Sequence, residues 1–359
     1  MTLAALLAAA LALVPGALPQ VRADDDAAQA DREKQRIRSK PPLSDAEKAA
    51  YASPEPPPAK PREKYVLAVV PIEFSDRAAG DPERTKKLLA GLVDYYAAAS
   101  CGRFKPEIKT CPLVRLGVER DRFERKDLEK AVGGLPACDG IAFIVPGAIA
   151  TRGAPLWPHR GVVRWGETEV DYLLVHEEAP VAILAHEFMH LLGFADKYDD
   201  EKAAVADACI LGTGYSVRRP PPPCAECRLR LGWASAATVD PAVPGAYRLD
   251  ADMSRVLRIK VTPDGDESLL LELRDRLLIW HVGGGRKIEL LGRFPSDSSD
   301  RLTPLSEPSF RGRSVGSQPL WITDIRLQDG KAWFHVSADA PMTAYEEWRR
   351  SKVGKRLGD

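Results

Sequence analysis

The spacing of hydrophobic residues predicts both strands and helices in the first half of the chain. The run YVLAVVPIEFSD, which starts at Tyr65, is apolar, β-branched and bounded by charge, as is typical of a buried strand. Apolar residues then recur at helical spacing from Leu88 to Tyr96, and the preceding Asp81 and Pro82 suit the start of a helix. The run DGIAFIVPGAIA predicts a second buried strand, and GVVRWGETEVDYLLVH predicts a hairpin.

From about Ser235 the pattern changes to short, β-rich segments that are separated by turn residues. Segments such as VLRIKVT, SLLLELRD, RLLIWHV and AWFHVSA predict a β-sandwich-like region. The closing stretch AYEEWRRSKVGKRLGD is basic and predicts a helical tail. Because helices and strands mix in the first half and strands dominate the second, the expected fold class is α+β.

The N-terminal residues indicate a leader and a linker. An apolar run from Leu3 to Val14, followed by Val21 and Ala23 at the two positions that a signal peptidase reads, is typical of a secretory signal peptide that is cleaved after Ala23. No Lys or Arg precedes the run, which leaves a misassigned start or an uncleaved anchor as alternatives. Residues 24–62 are acidic, then basic, then proline-rich, so we expect a disordered linker or a short pro-segment. These features predict a secreted, periplasmic or cell-surface protein.

Charge narrows the range of partners. The chain has 51 Lys and Arg residues and 51 Asp and Glu residues, so its formal net charge is zero. This balance argues against a nucleic-acid partner, which would favour a basic surface. The N-terminal apolar run is too short for a confident membrane span, so we expect no stable membrane insertion after signal cleavage. We expect a monomer.

The six cysteines are Cys101, Cys111, Cys138, Cys209, Cys224 and Cys227. An even number in an exported chain favours disulfide bonds, and Cys101 with Cys111 is a plausible local pair. The spacing of Cys224 and Cys227 also suits a zinc knuckle, with Cys209 as the only nearby partner. Of these two interpretations we favour disulfides.

The stretch ILAHEFMHLLGFADKYD, residues 183–199, carries the candidate chemistry. His186 and His190 are four residues apart, so on a helix both imidazoles lie on one face and can reach one metal ion. Glu187 lies beside the first histidine, where a carboxylate can exchange a proton with a metal-activated water. The alternative is a buried amphipathic helix with two structural histidines, because the short motif also arises by chance.

The third ligand of such a site is open to three interpretations. Gly193 allows a sharp turn after His190, and Asp196 follows at the position where the longer motif H-E-x-x-H-x-x-G-x-x-H has its third ligand. Asp199 and His159 are the rivals. The remaining histidines, His176, His281 and His335, lie in strand-like contexts that favour structural roles.

HEFMHLLGFADKYD resembles the active-site segment of the immune-inhibitor-A-like secreted zinc metallopeptidases, a metzincin-related family. VLAVVPIEFSD, YYAAASCGRFKPEI, CRLRLGWAS, SLLLELRD and LLIWHV resemble further family segments in the same order, so the resemblance covers residues 64–338. It implies a metzincin-like zinc peptidase domain followed by a C-terminal β-sandwich-like domain. It also implies a secreted, zinc-dependent endopeptidase, acting on protein or peptide substrates, in which a zinc-bound water attacks the peptide bond.

The resemblance implies a role for each matching residue. His186, His190 and Asp196 would be the ligands of Zn²⁺, and Glu187 would be the catalytic base and acid. The expected division of the chain is 1–23, signal peptide; 24–62, linker or pro-segment; 63–234, catalytic domain; 235–340, β-rich domain; 341–359, basic helical tail.

Four positions depart from the family pattern. Ala195 replaces a usual proline, Leu211 replaces the methionine of the turn beneath the zinc, the passage between Arg274 and Leu277 is short, and Gly283 replaces a frequent aspartate. The leucine at the methionine turn and the short passage support an alternative function, that of a catalytically inactive relative acting as an extracellular zinc-containing binding module.

Overall fold

The first half of the chain forms a mostly parallel sheet with two long helices. The computed structural model gives its elements in chain order as β1, Lys64–Glu73; α1, Pro82–Ala99; β2, Lys105–Thr110; β3, Val114–Arg115; two 3₁₀ helices, Arg120–Arg122 and Arg125–Ala131; β4, Gly140–Val145; β5, His159–Trp165; β6, Thr168–His176; and α2, Val181–Leu191. The strand order is β2-β1-β4-β6-β5, and β3 pairs with the end of β1. Only β5, at the edge, runs antiparallel to its neighbour β6.

The continuous apolar runs seen in the sequence are explained by burial on both faces of this sheet. Alternate residues of β1, such as Leu67 and Val69, pack on one side with α1 and α2. The residues between them, such as Ala68 and Val70, pack on the other side beneath the 3₁₀ helices. All six residues of β4 are buried, as expected for a central strand of a parallel sheet.

Helix α1 begins where the sequence predicts. Asp81 is its N-cap, and its Oδ1 accepts a hydrogen bond from the Glu83 backbone N–H at 3.0 Å, while Pro82 occupies the first helical position. The Tyr96 hydroxyl donates to the Ala185 carbonyl of α2 at 2.7 Å. This contact joins α1 to the helix that carries the candidate chemistry.

The second half of the chain forms two further sheets. In chain order its elements are a 3₁₀ helix, Ala206–Ala208; α3, Ala225–Arg230; β7, Ser235–Val239; β8, Gly245–Asp250; β9, Arg255–Lys260; β10, Ser268–Leu273; β11, Leu277–Val282; β12, Ile288–Phe294; β13, Trp321–Gln328; and β14, Lys331–Ser337. Among the described residues, one sheet has the order β12-β11-β10-β9-β7 and the other has the order β13-β14-β8. The short strands predicted from the sequence are therefore present.

Strand β10 is buried on both faces, because its two sets of alternating side chains enter different cores. Leu269 and Leu271 pack in a core that also contains Phe334 of the three-stranded sheet. Leu270, between them, points the other way and belongs to the same core as Phe188 of α2. The five-stranded sheet thus packs between the three-stranded sheet and the α2 region.

A buried ionic cluster lies where α3 meets the five-stranded sheet. Arg228 of α3 and Glu272 of β10 are both fully buried and form an ion pair. Glu272 also accepts hydrogen bonds from the Arg274 guanidinium at 2.8 Å and from the Trp280 Nε1–H at 2.7 Å. Both carboxylate oxygens are therefore satisfied, as a buried charge requires.

The expected disulfides are not supported. All six cysteines belong to the described residues and all are free thiols. Cys101 is exposed at a turn after α1 with φ 54°, whereas Cys111 is buried beyond the end of β2. The sulfur atoms of Cys224 and Cys227 are 3.4 Å apart, too far for a disulfide bond of about 2.05 Å.

The structure describes residues 59–150, 154–197, 205–212, 219–261, 267–283, 288–294 and 321–337. The expected signal peptide, residues 24–58 of the expected linker, and the expected helical tail lie outside these ranges. None of the described helices is long and apolar enough to cross a membrane. The described residues all belong to one compact unit, Ala49–Asp359, and the division near residue 235 into two domains stays a prediction.

The ionic cluster predicts a large effect of a small substitution. Glu272→Gln should lower the free energy of unfolding by about 3 kcal/mol or more, because it leaves the buried Arg228 charge without its partner. Urea denaturation measures the change. The matched control is Glu289→Gln on strand β12 of the same sheet, where the side chain is exposed and the effect should stay within about 0.5 kcal/mol. Equal stability of both variants would contradict this account.

Candidate metal centre

Helix α2 places both histidines of the motif inside the protein. Most of its residues are buried, and Leu184, Phe188 and Met189 are part of the main core. His186 and His190 are one turn apart, with ring centroids at 4.9 Å. Their rings therefore point in the same direction from a fixed helix.

Backbone carbonyls orient the two rings. His186 Nδ1 lies 2.8 Å from the Ile210 carbonyl oxygen, and His190 Nδ1 lies 2.7 Å from the Phe194 carbonyl oxygen. Since a carbonyl only accepts hydrogen bonds, each Nδ1 donates, and the Nε2 atom of the neutral ring keeps its lone pair. This is the tautomer that a metal-binding histidine needs.

The two Nε2 atoms converge on one oxygen of Asp196. The distances to Asp196 Oδ1 are 3.0 Å from His186 Nε2 and 3.5 Å from His190 Nε2. The Asp196 side chain is 41% exposed, whereas both imidazoles are largely buried. The three groups thus meet at the surface of the core, where a metal ion could enter.

Glu187 lies beside the pair of histidines. Its Oε2 is 3.9 Å from His190 Nε2, and its side chain is buried. Ligand atoms of His186, Glu187 and His190 all lie within 4.8 Å of one another. The carboxylate therefore borders the point on which the imidazoles converge.

A turn after α2 brings Asp196 back toward the helix. Gly193 has φ 92°, a left-handed conformation that favours glycine, and its N–H donates to the His190 carbonyl at 3.1 Å. The same turn positions the Phe194 carbonyl that holds His190. One residue beyond Asp196, the Lys197 N–H donates to the Leu211 carbonyl at 2.9 Å, which fixes the far end of the turn.

The segment 205–212 forms the apolar support of the site. Ile210 and Leu211 are fully buried and belong to the same core as α2. Leu211, where the family resemblance predicts a methionine, is an apolar residue without exposure to solvent. A leucine of similar volume keeps this segment packed in the core.

Burial and mutual charge shift the pKa values of the cluster in different directions. Burial alone would lower the pKa of His186, but its hydrogen bond to Asp196 and the charges of Glu187 and Asp196 outweigh burial and raise the pKa to about 9. Burial raises the pKa of Glu187 to about 7. Burial and the charge of His186 lower the pKa of His190 to about 4. The carboxylates of Glu187 and Asp196 thus favour a positive charge at His186, which a divalent cation bound at Nε2 would supply in place of the proton.

The donor atoms fit zinc. Two neutral imidazole nitrogens and one carboxylate oxygen form a set that zinc accepts, with a fourth position left for water or substrate. His186, His190 and Asp196 would hold this zinc ion. Both imidazoles have their second nitrogen hydrogen-bonded to a carbonyl, as ligating histidines usually do.

The other candidates for the third ligand were Asp199 and His159. Asp199 lies outside the described residues. His159 is not available, because its Nδ1 lies 2.6 Å from the Trp157 carbonyl oxygen and its Nε2 lies 3.0 Å from the Tyr172 hydroxyl. The Nε2 atom of His176 contacts the Leu156 carbonyl at 2.8 Å, in keeping with a structural role.

The residues that orient the histidines were not found by sequence reasoning. Ile210 and Phe194 act through backbone carbonyls, so their side-chain identities carry no signal of that role. Arg160 was also missed; it is buried on β5, forms an ion pair with Asp171, and its charge lowers the pKa of His190. No motif pointed to it.

A cavity of about 680 Å³ lies elsewhere, beside α1, and is lined by Ile72, Leu89 and Glu177 among others. Glu177 accepts hydrogen bonds from the backbone N–H groups of Asp81 at 2.7 Å and Gly147 at 3.0 Å. Its carboxylate thus serves the local backbone. We therefore place the candidate site at the His186, Glu187 and His190 cluster and not in this cavity.

Comparison with known proteins yields only distant structural likeness. No model of a known protein family matches the chain, and no curated protein matches it. Among solved structures, the chain is similar to metalloproteinase-II from Bacteroides fragilis, with 13% identity over 58% of this chain and 69% of that chain, and a TM-score of 0.32. A TM-score this low carries no argument about function. The immune-inhibitor-A-like resemblance therefore stays a prediction.

The turn after α2 predicts that Gly193→Ala weakens metal binding. A side chain at φ 92° strains the turn that positions both Asp196 and the Phe194 carbonyl, and loss of such supporting contacts typically costs about 10–100-fold in metal affinity. Competition with a chromogenic chelator measures the affinity for Zn²⁺.

The matched control is Gly134→Ala. Gly134 also has a positive φ, 74°, and open space around its Cα, but it lies in the loop before β4. This variant should carry similar backbone strain and keep the wild-type zinc affinity. Equal affinities for the two variants would show that the Gly193 turn does not support the site.

Proposed function

We propose that this protein is a secreted zinc-dependent endopeptidase whose metal is held by His186, His190 and Asp196. One observation carries the proposal: the Nε2 atoms of both imidazoles approach a single Asp196 oxygen, at 3.0 and 3.5 Å, with the Glu187 carboxylate beside them. A buried helix with merely structural histidines would not need three groups to converge in this way.

Glu187 is the proposed general base and acid. Zinc at this position would polarise the peptide carbonyl and make a water molecule acidic enough to attack at neutral pH. The Glu187 carboxylate lies beside the imidazole nitrogens. The backbone carbonyls of Ile210 and Phe194 already orient both imidazoles, so Glu187 is not needed for that role. It is therefore placed to take a proton from the attacking water and pass it to the leaving amine.

The arrangement of elements supports a metzincin-like peptidase domain over residues 63–234. Helix α2 follows the parallel strand β6, and the antiparallel strand β5 lies at the edge of the sheet. Helix, glycine turn and third ligand then follow in the order that the family resemblance implies. We assign residues 235–340 to an accessory β-rich region that supports the same core.

A peptide substrate fits the edge of the sheet. Among the described strands, β5 pairs only with β6, and α2 packs against both. An extended peptide can add to such an edge through main-chain hydrogen bonds, which suits proteins and peptides of varied sequence. Export of the enzyme, inferred from the signal-like N-terminus, would bring it to extracellular or periplasmic substrates.

The alternative, an inactive binding module, has weaker support. Its sequence arguments were the leucine at the turn and the short passage between Arg274 and Leu277; of these, Leu211 is fully buried and keeps an apolar side chain at the turn. A binding module also has no need of a buried carboxylate beside the ligand atoms, because burying Glu187 costs free energy. Casein digestion with and without a chelator distinguishes the two functions.

Glu187→Ala should retain zinc and lose peptidase activity. Removing a general base typically lowers the rate by about 10²–10⁴-fold, while the three proposed ligands stay in place. Metal analysis and casein digestion on the same preparation give both values. The control is Glu178→Ala, which removes an exposed carboxylate paired with Arg84 and should keep both zinc and activity. Turnover near the wild-type rate in the Glu187→Ala variant would remove Glu187 from its role.

Asp196→Ala should release the metal, whereas Asp199→Ala should retain it. The first substitution removes the oxygen on which both imidazoles converge, and the second removes an acid three residues away in the same stretch. Zinc content after dialysis against a chelator compares the two variants. The opposite result, an empty site in Asp199→Ala alone, would make Asp199 the third ligand.

A further inference from the structure

Three cysteines meet in the core beside the support of the candidate site. Cys209, Cys224 and Cys227 are fully buried, and their sulfur atoms all lie within 4.8 Å of one another. The Cys224 and Cys227 sulfurs are 3.4 Å apart, and the Cys224 backbone N–H points at the Cys209 sulfur at 3.3 Å. We call this group the cysteine triad.

We propose that the cysteine triad binds a second zinc ion, separate from the ion at His186, His190 and Asp196. The two sites share no ligand. The second site does not depend on the proposed peptidase activity, because its evidence is the geometry of the three sulfurs and of the residues around them.

The spacing of the sulfurs suits one metal ion. With zinc–sulfur bonds of about 2.3 Å, two thiolates on a tetrahedral zinc lie about 3.8 Å apart. The observed sulfur separations, 3.4 Å for one pair and no more than 4.8 Å for any pair, bracket this value. Small side-chain adjustments would therefore bring all three sulfurs into coordination.

The elements that carry the triad form a rigid frame. Cys224 is the N-cap of α3 and Cys227 lies in its first turn, so the helix fixes both sulfurs on one side. Arg274 holds the two segments together, because its guanidinium donates to the Ala208 carbonyl at 2.8 Å and to the Pro223 carbonyl at 3.2 Å. These carbonyls directly precede Cys209 and Cys224.

The charges around the triad suit a zinc–thiolate centre. Three thiolates and one divalent ion leave a net charge of minus one. Lys197 is largely buried nearby, its Nζ lies 3.7 Å from the Glu226 carboxylate, and its charge acts on all three cysteines. The charge of Arg274 acts on Cys209 and Cys224 as well. The surroundings thus offer positive charge to balance the centre.

A zinc site accounts for the third cysteine, which a disulfide does not. A bond between Cys224 and Cys227 would leave Cys209 as a buried thiol against it. Thiolates favour soft or borderline ions such as zinc. Three protein ligands suffice for zinc, with water as the fourth, and the three thiols release their protons to solvent as the metal binds.

The test is the metal content and zinc-edge X-ray absorption of the full chain, purified with reductant and Zn²⁺. We expect two zinc ions per chain and sulfur neighbours at about 2.3 Å from part of the zinc. The double variant Cys224→Ser with Cys227→Ser should lose one zinc and the sulfur signal. His190→Ala should lose the other zinc and leave a spectrum dominated by sulfur.

The matched control is Cys138→Ser, which removes a half-buried cysteine outside the triad and should retain both ions. A wild-type spectrum without sulfur neighbours overturns the proposal, and so does a disulfide within the triad found by alkylation and mass spectrometry of the native chain. The wild-type spectrum decides even if the double variant does not fold. Loss of peptidase activity plays no part in these readouts, so this proposal and the peptidase proposal fail separately.

Discussion

The structure around the candidate site depends on one constraint: the polar side chains of a buried helix must be satisfied inside the protein. His186 and Glu187 lie within a core of aliphatic and aromatic residues, where an unpaired polar group costs several kcal/mol. Carbonyls of Ile210 and Phe194 satisfy one nitrogen of each imidazole, and Asp196 faces the other. The Gly193 turn and segment 205–212 supply these partners, and the same contacts leave two nitrogen lone pairs directed at one point.

The β-rich half of the chain packs against the core that contains α2. Strand β10 sends alternate side chains into two cores, and its Glu272 joins Arg228 of α3 in a buried ion pair. Helix α3 carries two cysteines of the triad, and the third directly precedes Ile210. A few adjoining residues thus connect the five-stranded sheet to the cysteine triad, and the triad to the Ile210 carbonyl that orients His186.

The sequence predicted local features better than long-range ones. The apolar runs of β1 and β4, the start of α1 at Asp81 and the histidine pair on α2 all follow from spacing within one segment. Sequence reasoning missed the Ile210 carbonyl, because a backbone group leaves no trace in residue identity. It also favoured disulfides, because an even cysteine count does not tell which sulfur atoms lie close together. In the structure, folding brings Cys209 next to Cys224 from fifteen residues away. Sheet order, which depends on contacts between distant strands, was equally beyond reach.

The central claim is that His186, His190 and Asp196 hold a zinc ion, and anomalous X-ray scattering from crystals of the full chain tests it most directly. Data collected on either side of the zinc absorption edge locate the metal without any substitution. The account predicts a peak about 2.0–2.1 Å from both His186 Nε2 and His190 Nε2, within bonding distance of an Asp196 oxygen. Zinc-supplied crystals with no peak between the two imidazoles, or with a peak bonded to a different third residue, would contradict it.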